Sequence, residues 1–510
     1  MSDDILIKTL DCIGALVKWF ILQMLLYFLM PYLWNYEYGI GTMTLVFLYT
    51  TFHIVYWTFV PKDMRIKWLW TPYIIYTILA LILCIIDNWC SSISFCLLLP
   101  LYGFVCWIGV KLFRKYSKRI REKYMFGKVI PFLVVTSSFL VLKSFCVLWM
   151  CKEHGTMGSE RYDIIERRNY LVDKLVTTPQ KVLDAMPSVI GTQFQGEWAL
   201  YSCSMLSVAL VNITQLYPET KKENLQYIDC LINIVMSPEM RYYDTMRWNE
   251  DPLESLNGDN SHVSYLSHLA WMICNYKEIG GNNKYDKLLS FLCMTMNHRI
   301  LLSKGLNLPT YPGESIYIPD MLVAIVALNK YADMNKGKYR STVRKWMDKA
   351  KKEWIDNDTK LLISFVDEEG KQYEGAPVKG SYSALNCYYL TLIDKAFAKE
   401  QYERLKALFW KDGFVSGLKE YWDRTCPIGL DMDAGPIILE LSPSGTAFMA
   451  GAATYFNDTI VRNEILTTAE IAGHTIKWGN ERHYLLANVA LVGESIMLAM
   501  RTNLRLIDIL

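Results

Sequence analysis

Five short polar clusters hold most of the side chains that could move protons. Each cluster stands beside an apolar, helix-like segment, and together they supply Glu, His, Tyr and Asp. The candidate catalytic residues are Glu197, His268 and Asp320. The candidate substrate-binding residues are Tyr265, Tyr311, Glu314, Tyr317, Glu374, Tyr382, Asp431 and Asp433. Such a set suits general acid–base chemistry on an uncharged substrate without a cofactor, because closely placed carboxyl and imidazole groups can titrate near neutral pH.

Each of these residues also has a structural explanation. Glu197 could cap the helix that follows it, because a helix N-terminus favours a carboxylate. His268 could be a hydrogen-bonded core histidine on an apolar helix, and Asp320 could be an N-cap. Asp431 and Asp433 could brace a turn.

Familiar catalytic and cofactor motifs are missing from the sequence. It contains no GxSxG, HExxH, P-loop, dinucleotide fingerprint or EF-hand loop. The cysteines after Met150 are scattered without CxxC or CxxH spacing, so no zinc site or dithiol redox site is expected. The net charge of +2 gives no indication of a nucleic-acid partner.

The region after Gly158 repeats a helical pattern about twelve times. Apolar residues recur at i, i+3 and i+4 spacing in residues 161–176, 196–216, 220–235, 263–279, 283–302, 317–334, 338–354, 382–398, 399–409, 446–456, 459–472 and 481–500. Short turns at Pro218, Gly280–Gly281 and 335–337 alternate with long loops.

Twelve helices in six hairpins predict an all-α domain, a closed (α/α)6 toroid with six inner helices inside six outer ones. An open stack of helix pairs is the alternative. The long loops 240–262, 303–316, 365–381 and 413–443 are expected at one mouth of the toroid, where loops of this length are usually functional.

The first 150 residues predict a transmembrane domain. The apolar stretches are residues 13–34, 38–60, 71–86, 91–113 and 129–150. Most approach the ~20 residues that a helix needs to cross the hydrocarbon core. Connections 62–67 and 111–128 are rich in Lys and Arg, whereas 35–37 and 87–90 contain neither, so the basic connections are expected inside.

Five spans then predict a multi-pass membrane protein, in the cytoplasmic membrane if the source is a bacterium. Its C-terminal domain would lie on the outer or periplasmic face. Lys143 inside the fifth stretch leaves an alternative: a re-entrant or interfacial helix there would keep the domain in the cytoplasm. The predicted domains are 1–150 (transmembrane), 151–190 (linker and first helix) and 191–510 (toroid).

Three segments resemble the linalool dehydratase/isomerase family. They are the run Ser-Tyr-Leu-Ser-His ending at His268, residues 311–320 before an apolar helix, and residues 379–389 with 393–398. The resemblance covers most of residues 190–500. It implies an α/α toroid, cofactor-free hydration–dehydration or isomerisation, and a site outside the cytoplasm. His268 would correspond to the family's active-site histidine, and Thr310 and Asp320 stand where the family has its two active-site cysteines.

Three functions remain open from the sequence. The first is a lyase or isomerase on an uncharged, possibly lipid or isoprenoid, substrate, with Asp320, Glu197 and His268 exchanging protons. The second is a glycan-active enzyme (glycosidase, polysaccharide lyase or uronyl epimerase) with two carboxylates ~5–9.5 Å apart. The third is a non-catalytic binding module. The expected partners are the bilayer and a small-molecule or glycan substrate.

Overall fold

The computed structural model describes residues 159–187, 191–373, 376–413, 415–431, 434–473, 475–484, 487 and 490–504. These residues belong to a compact unit, Glu153–Leu510. The predicted membrane stretches within 1–150 lie outside the described residues and stay predictions.

Six inner helices form a closed ring. They are α3 (Gly191–Leu216), α6 (Val263–Glu278), α8 (Ile318–Met334), α10 (Gly380–Thr391), α12 (Pro443–Tyr455) and α14 (Leu491–Arg501). Each packs against the next, and α14 packs against α3. This last contact closes the ring, so the toroid is confirmed and the open stack is excluded.

Six outer helices surround this ring. They are α1 (Glu160–Leu175), α4 (Lys221–Val235), α7 (Asp286–Leu302), α9 (Arg340–Glu353), α11 (Lys395–Phe409) and α13 (Thr459–Gly473). They are amphipathic, as α9 shows by burying Val343, Trp346, Met347 and Ala350 on one stripe. The inner helices are apolar nearly all round because neighbours cover every side, and all residues of α10 are buried.

The first of the twelve predicted helices lies within the predicted segment 151–190. Helix α1 packs on both α3 and α14. Glu160 therefore starts the first outer helix of the toroid.

Two further α-helices and four small two-stranded sheets occupy the connections among the described residues. The helices are α2 (Pro179–Asp184) and α5 (Pro238–Trp248). The antiparallel strand pairs are β1 (Ile316–Tyr317) with β2 (Phe365–Val366), β3 (Trp410–Lys411) with β4 (Gly417–Leu418), β5 (Ile428–Asp431) with β6 (Gly435–Ile438), and β7 (Thr475–Trp478) with β8 (Glu481–Tyr484).

Two helices have other boundaries than the apolar periodicity of the sequence predicted. Asp394 accepts hydrogen bonds from the backbone N–H groups of Ala396 and Phe397, so α11 begins at Lys395 rather than near residue 399. The predicted helix 481–500 is a hairpin followed by a shorter helix. Gly479 adopts a φ of +59° in that hairpin turn, and Arg482 is drawn into a buried ionic cluster through Asp163.

The long connections meet at one end of the ring. Trp248 donates from its indole nitrogen to the Thr310 carbonyl at 3.3 Å, which joins the first long loop to the second. Strands β1 and β2 join the second loop to the third. Lys379 pairs with Asp431 at 2.6 Å and joins the third to the fourth. The inner helices therefore begin at a common rim, and the short turns lie at the other end.

In the described part of the chain, one helix is long enough to cross a membrane. That helix, α3, is long and apolar enough to span a bilayer, but most of its apolar window is buried inside the toroid. Here it is a core helix of the ring.

Candidate functional site

Asp320 occupies the first turn of inner helix α8. The N-cap is Tyr317, so the predicted capping role of Asp320 is wrong. Its carboxylate instead accepts a hydrogen bond from the Thr310 hydroxyl at 2.6 Å. Burial raises the pKa of Asp320 from 3.8 to about 7, the Thr310 bond opposes that rise, and the nearby charge of Glu197 adds to it.

Glu197 lies on the neighbouring inner helix α3. This helix begins at Gly191, so Glu197 stands in its second turn and is not the predicted first-turn cap. Its Oε1 accepts hydrogen bonds from the Tyr311 hydroxyl and from the Gln193 amide, the latter at 3.0 Å. Burial raises the pKa of Glu197, and both hydrogen bonds act against that rise by stabilising the ionised form.

Gly196 explains how this part of α3 is packed. A Cβ added at Gly196 would lie 2.6 Å from the Cβ of Tyr243 on α5. Only glycine lets α5 approach α3 so closely. The next residue, Glu197, is thereby held beneath the covering helix.

Arg247 of α5 connects the rim to this carboxylate. It donates to the side-chain amide oxygen (Oε1) of Gln193 at 2.9 Å and forms an ion pair with Glu314. Its guanidinium lies 4.4 Å from the centre of the Tyr311 ring. Glu314 is thus an exposed rim residue paired with Arg247, and its charge raises the pKa of Glu197.

His268 of α6 is a neutral part of the interior. Its Nδ1 lies 2.8 Å from the Ser204 hydroxyl, and its ring meets the edge of Tyr201 at 5.1 Å. Burial lowers the pKa of His268 to about 3. The imidazole is therefore uncharged at neutral pH and would act as a hydrogen-bonding group.

Two tyrosines connect His268 to the carboxyl groups. The hydroxyls of Tyr201 and Tyr389 lie 2.6 Å apart. Burial raises the pKa of each tyrosine, and the charge of Asp320 raises both further. The inner helices α3, α6, α8 and α10 thus each contribute one or more polar side chains to a single cluster.

Three side chains of the cluster are enclosed by the ring and still partly exposed to solvent: Glu197, Tyr201 and Asp320. All three are surrounded by protein deep in the ring, yet each keeps solvent-accessible surface. Solvent therefore reaches side chains whose surroundings favour their uncharged forms. This combination distinguishes a reactive site from a packed core.

The other predicted substrate-binding residues divide between the core and the rim. Tyr265 is buried and donates to the Val235 carbonyl of an outer helix at 2.9 Å, so it points away from Asp320 and its predicted role is wrong. Tyr317 and Tyr382 pack together at 5.6 Å, and Asp431 is paired with Lys379 at the rim. Glu374 and Asp433 lie outside the described residues.

Sequence reasoning missed Tyr201, Gln193 and Arg247. Tyr201 follows Glu197 by four residues, so helical periodicity places both on one face of α3 and could have identified it. Gln193 precedes Glu197 by the same interval. Arg247 carried no signal, because it lies in a segment expected to be a loop that instead forms α5.

The cluster contains the parts needed for proton transfer. Two carboxyl groups have raised pKa values, and tyrosine and threonine hydroxyls can donate or accept hydrogen bonds beside them. Within the described ranges, no group of three or more His, Cys, Asp or Glu side chains is arranged to hold a metal ion. The arrangement can protonate and deprotonate a bound molecule.

Comparisons with known proteins give a distant likeness in fold. No family model matches the chain, and no curated protein matches it significantly. Among solved structures, an unsaturated glucuronyl hydrolase specific for heparin is similar at 13% identity with a TM-score of 0.44, over 67% of this chain and 95% of that one. The toroid described above is established by the packing of this chain's own helices.

Proposed function

We propose that the toroid is a cofactor-independent enzyme in which Asp320 exchanges a proton with a bound substrate. One observation carries the proposal. Asp320 lies deep in the ring, keeps accessible surface, and has a pKa raised to about 7. A carboxyl group that is present in both protonation states at neutral pH can act as either acid or base.

The neighbouring groups supply the remaining roles. Glu197 is the second carboxyl, oriented by Tyr311 and Gln193. When Asp320 donates a proton to the substrate, Glu197 would accept one from it, and when Asp320 accepts a proton, Glu197 would donate one. Tyr201 would offer its hydroxyl to a substrate oxygen, while the buried Tyr389 and the neutral His268 would orient Tyr201.

The desolvated interior favours an uncharged substrate, since a charged one would lose its hydration on entering the ring. The chemistry that fits is addition or removal of water, or migration of a double bond, on an uncharged lipid or isoprenoid molecule. Thr310 and Asp320, hydrogen-bonded to each other, would hold the positions at which the resembling lyase/isomerase family has its cysteines.

A glycan-active enzyme is the second candidate. It is favoured by the proximity of Glu197 and Asp320 on two different helices, since the charge of Glu197 raises the pKa of Asp320. Two carboxyl groups with different roles are the basis of glycoside hydrolysis. Tyr317 and Tyr382 near the rim could then stack on a sugar ring.

Turnover in deuterium oxide tests the proposal and separates the candidates. The full chain would be incubated with unsaturated alcohols and with neutral or uronic oligosaccharides, and products analysed by mass spectrometry and NMR. Hydration of a double bond, or its migration by proton exchange with solvent, places deuterium on carbon, and dehydration is recognised by the alkene and the mass lost as water. Simple glycoside hydrolysis instead releases a new reducing end without deuterium on carbon.

Two variants of the same helix complete the test. Asp320→Asn should abolish product formation. Asp333→Asn, at the opposite end of α8 and 64% exposed in an ion pair with Arg340, should not. Equal turnover by both variants would contradict a role for Asp320.

A further inference from the structure

The hairpin of β5 and β6 presents an apolar face to solvent. Ile428 lies opposite Ile438 and Leu430 lies opposite Pro436, so these four side chains share one face. Ile428 and Leu430 are each 83% exposed, and Ile438 is 58% exposed. We call Ile428, Leu430, Pro436 and Ile438 the hairpin face. Contiguous exposed apolar groups of this kind mark interaction sites.

The opposite side of the hairpin is fixed to the toroid. Ile437 is 1% exposed and packs inward. Asp431 forms an ion pair with Lys379 at 2.6 Å and also accepts a hydrogen bond from the Ala434 backbone N–H. The hairpin is therefore held in place by one face while the other remains apolar and outward.

We propose that the hairpin face docks into the interfacial region of a phospholipid bilayer. The preceding residues favour this occupant over a protein surface. Tyr421 and Trp422 come just before β5, and the Arg424 guanidinium lies 3.8 Å from the Tyr421 ring centre. Trp422 is 38% exposed. Trp, Tyr and Arg beside exposed aliphatic side chains are typical of membrane–water interfaces.

The chain outside the described residues supports the same occupant. The last predicted span ends at Met150, and the first described helix begins at Glu160. The residues between them, 151–159, reach at most ~30 Å when fully extended. A chain anchored in the bilayer through the predicted spans would offer lipid to a local apolar face of the same molecule.

This contact would turn the long-loop rim toward lipid. The hairpin belongs to the connection that precedes α12, at the same end as Tyr311 and Asp320. An uncharged lipid-soluble molecule could then enter the ring without crossing water. The membrane contact itself does not depend on which reaction the site performs.

Photo-cross-linking in membranes tests the inference. The full chain would carry p-benzoylphenylalanine in place of Leu430, in membranes or in phosphatidylcholine proteoliposomes, and adducts would be identified by mass spectrometry. Replacement of Ile460 is the matched control, since Ile460 is 71% exposed but starts the outer helix α13 at the short-turn end.

A phospholipid adduct at least ~5-fold more abundant at position 430 than at 460 is expected. An adduct at 430 with a second copy of the chain would instead make the hairpin face a dimer contact and overturn the inference. Equal lipid adducts at both positions would overturn it as well. Circular dichroism of the position-430 variant establishes that the toroid is folded in each case.

Discussion

Tyr311 donates its hydroxyl hydrogen bond to Glu197, across 114 positions of sequence. This contact ties the loop before α8 to the first inner helix. The Tyr311 ring is itself covered by the Arg247 guanidinium at 4.4 Å. The protonation of Glu197 therefore depends on where the second long loop lies, so loop position and acid–base behaviour are coupled.

Tyr311→Phe should raise the pKa of Glu197, because the lost hydroxyl stabilises the ionised carboxylate. The limb of the pH–rate profile that Glu197 controls should move to higher pH. A hydrogen bond to a charged group is worth about 1.5 kcal/mol or more, so kcat/KM should fall roughly tenfold or more. The measurement is kcat/KM against pH.

Tyr331→Phe is the matched control for that variant. Tyr331 also loses one hydroxyl contact, a 3.2 Å hydrogen bond to Ser290, but it lies toward the far end of α8. A profile that moves equally in both variants, or in neither, would show that the Tyr311 hydroxyl does not act through Glu197.

Asp320→Asn should lower the rate by roughly 10²–10⁴, because the amide keeps the Thr310 contact but cannot exchange a proton. The wild-type rate should change as pH passes about 7, the raised pKa of Asp320. If Asp320 donates a proton first, the rate falls above that pH, and if it accepts one first, the rate rises. The variant should lose this inflection. A fully active Asp320→Asn chain would remove Asp320 from the mechanism.

The same substitution should stabilise the fold at alkaline pH. The pKa of Asp320 rises from 3.8 to about 7 on folding, so the folded state resists ionisation. Stability is then lost as pH rises from ~4 through ~7, and it is unaffected below both values. At 1.36 kcal/mol per pKa unit the cost at pH 8 is about 4 kcal/mol at most, and less because Asp320 keeps accessible surface.

Thermal unfolding at several pH values measures this effect. Asp320→Asn should have a higher Tm than the unmodified chain at pH 8, and the difference should vanish near pH 4. A Tm difference that is constant across this range would mean that Asp320 does not titrate near neutrality in the folded protein.

The fold was largely predictable because helical periodicity and turn residues act locally. Pro218, Gly280–Gly281 and the 335–337 turn mark inner-to-outer turns, which fixed the hairpin order. The ring closure of α14 on α3 follows from that order. The hairpin of β7 and β8 was not predictable, because its cause is distant: Arg482 bonds Asp163 at 2.9 Å across 319 positions.

The site was only partly predictable for a related reason. Glu197, Tyr311 and Asp320 could be selected as polar residues at loop–helix junctions, and they do share the cluster. Tyr265 could not be separated from His268 by spacing, since both lie on α6 and only packing decides which faces inward. The raised pKa of Asp320 depends on burial by several helices, which no local pattern reports.

Arg167→Met should destabilise the toroid by about 3–5 kcal/mol. Arg167 on α1 bonds Asp163, Glu470 at 2.9 Å and Glu494 at 2.7 Å, and all four residues are buried. Removing the guanidinium leaves the buried carboxylates of Asp163, Glu470 and Glu494 without the cation that they share. These carboxylates lie on α1, α13 and α14, so the loss falls where the first and last helices of the ring meet. Urea unfolding followed by tryptophan fluorescence measures the loss.

Arg161→Met is the control for the Arg167 variant. Arg161 pairs with Glu219 at the surface, where both side chains are more than half exposed, so the change should cost less than ~1 kcal/mol. Similar losses in both variants would mean that the Arg167 cluster does not stabilise the closure of the ring.

The orientation of the toroid relative to a membrane is the last prediction. A reporter fused after Leu510 should show alkaline phosphatase activity and no green fluorescence, because the five predicted spans would place the C-terminus outside. A matched fusion after Tyr124, within the basic connection 111–128, should fluoresce and lack phosphatase activity. Fluorescence at both positions would mean that residues 129–150 do not cross. The toroid would then be cytoplasmic, as the Lys143 alternative requires. Phosphatase activity at Tyr124 would reverse the inferred orientation altogether.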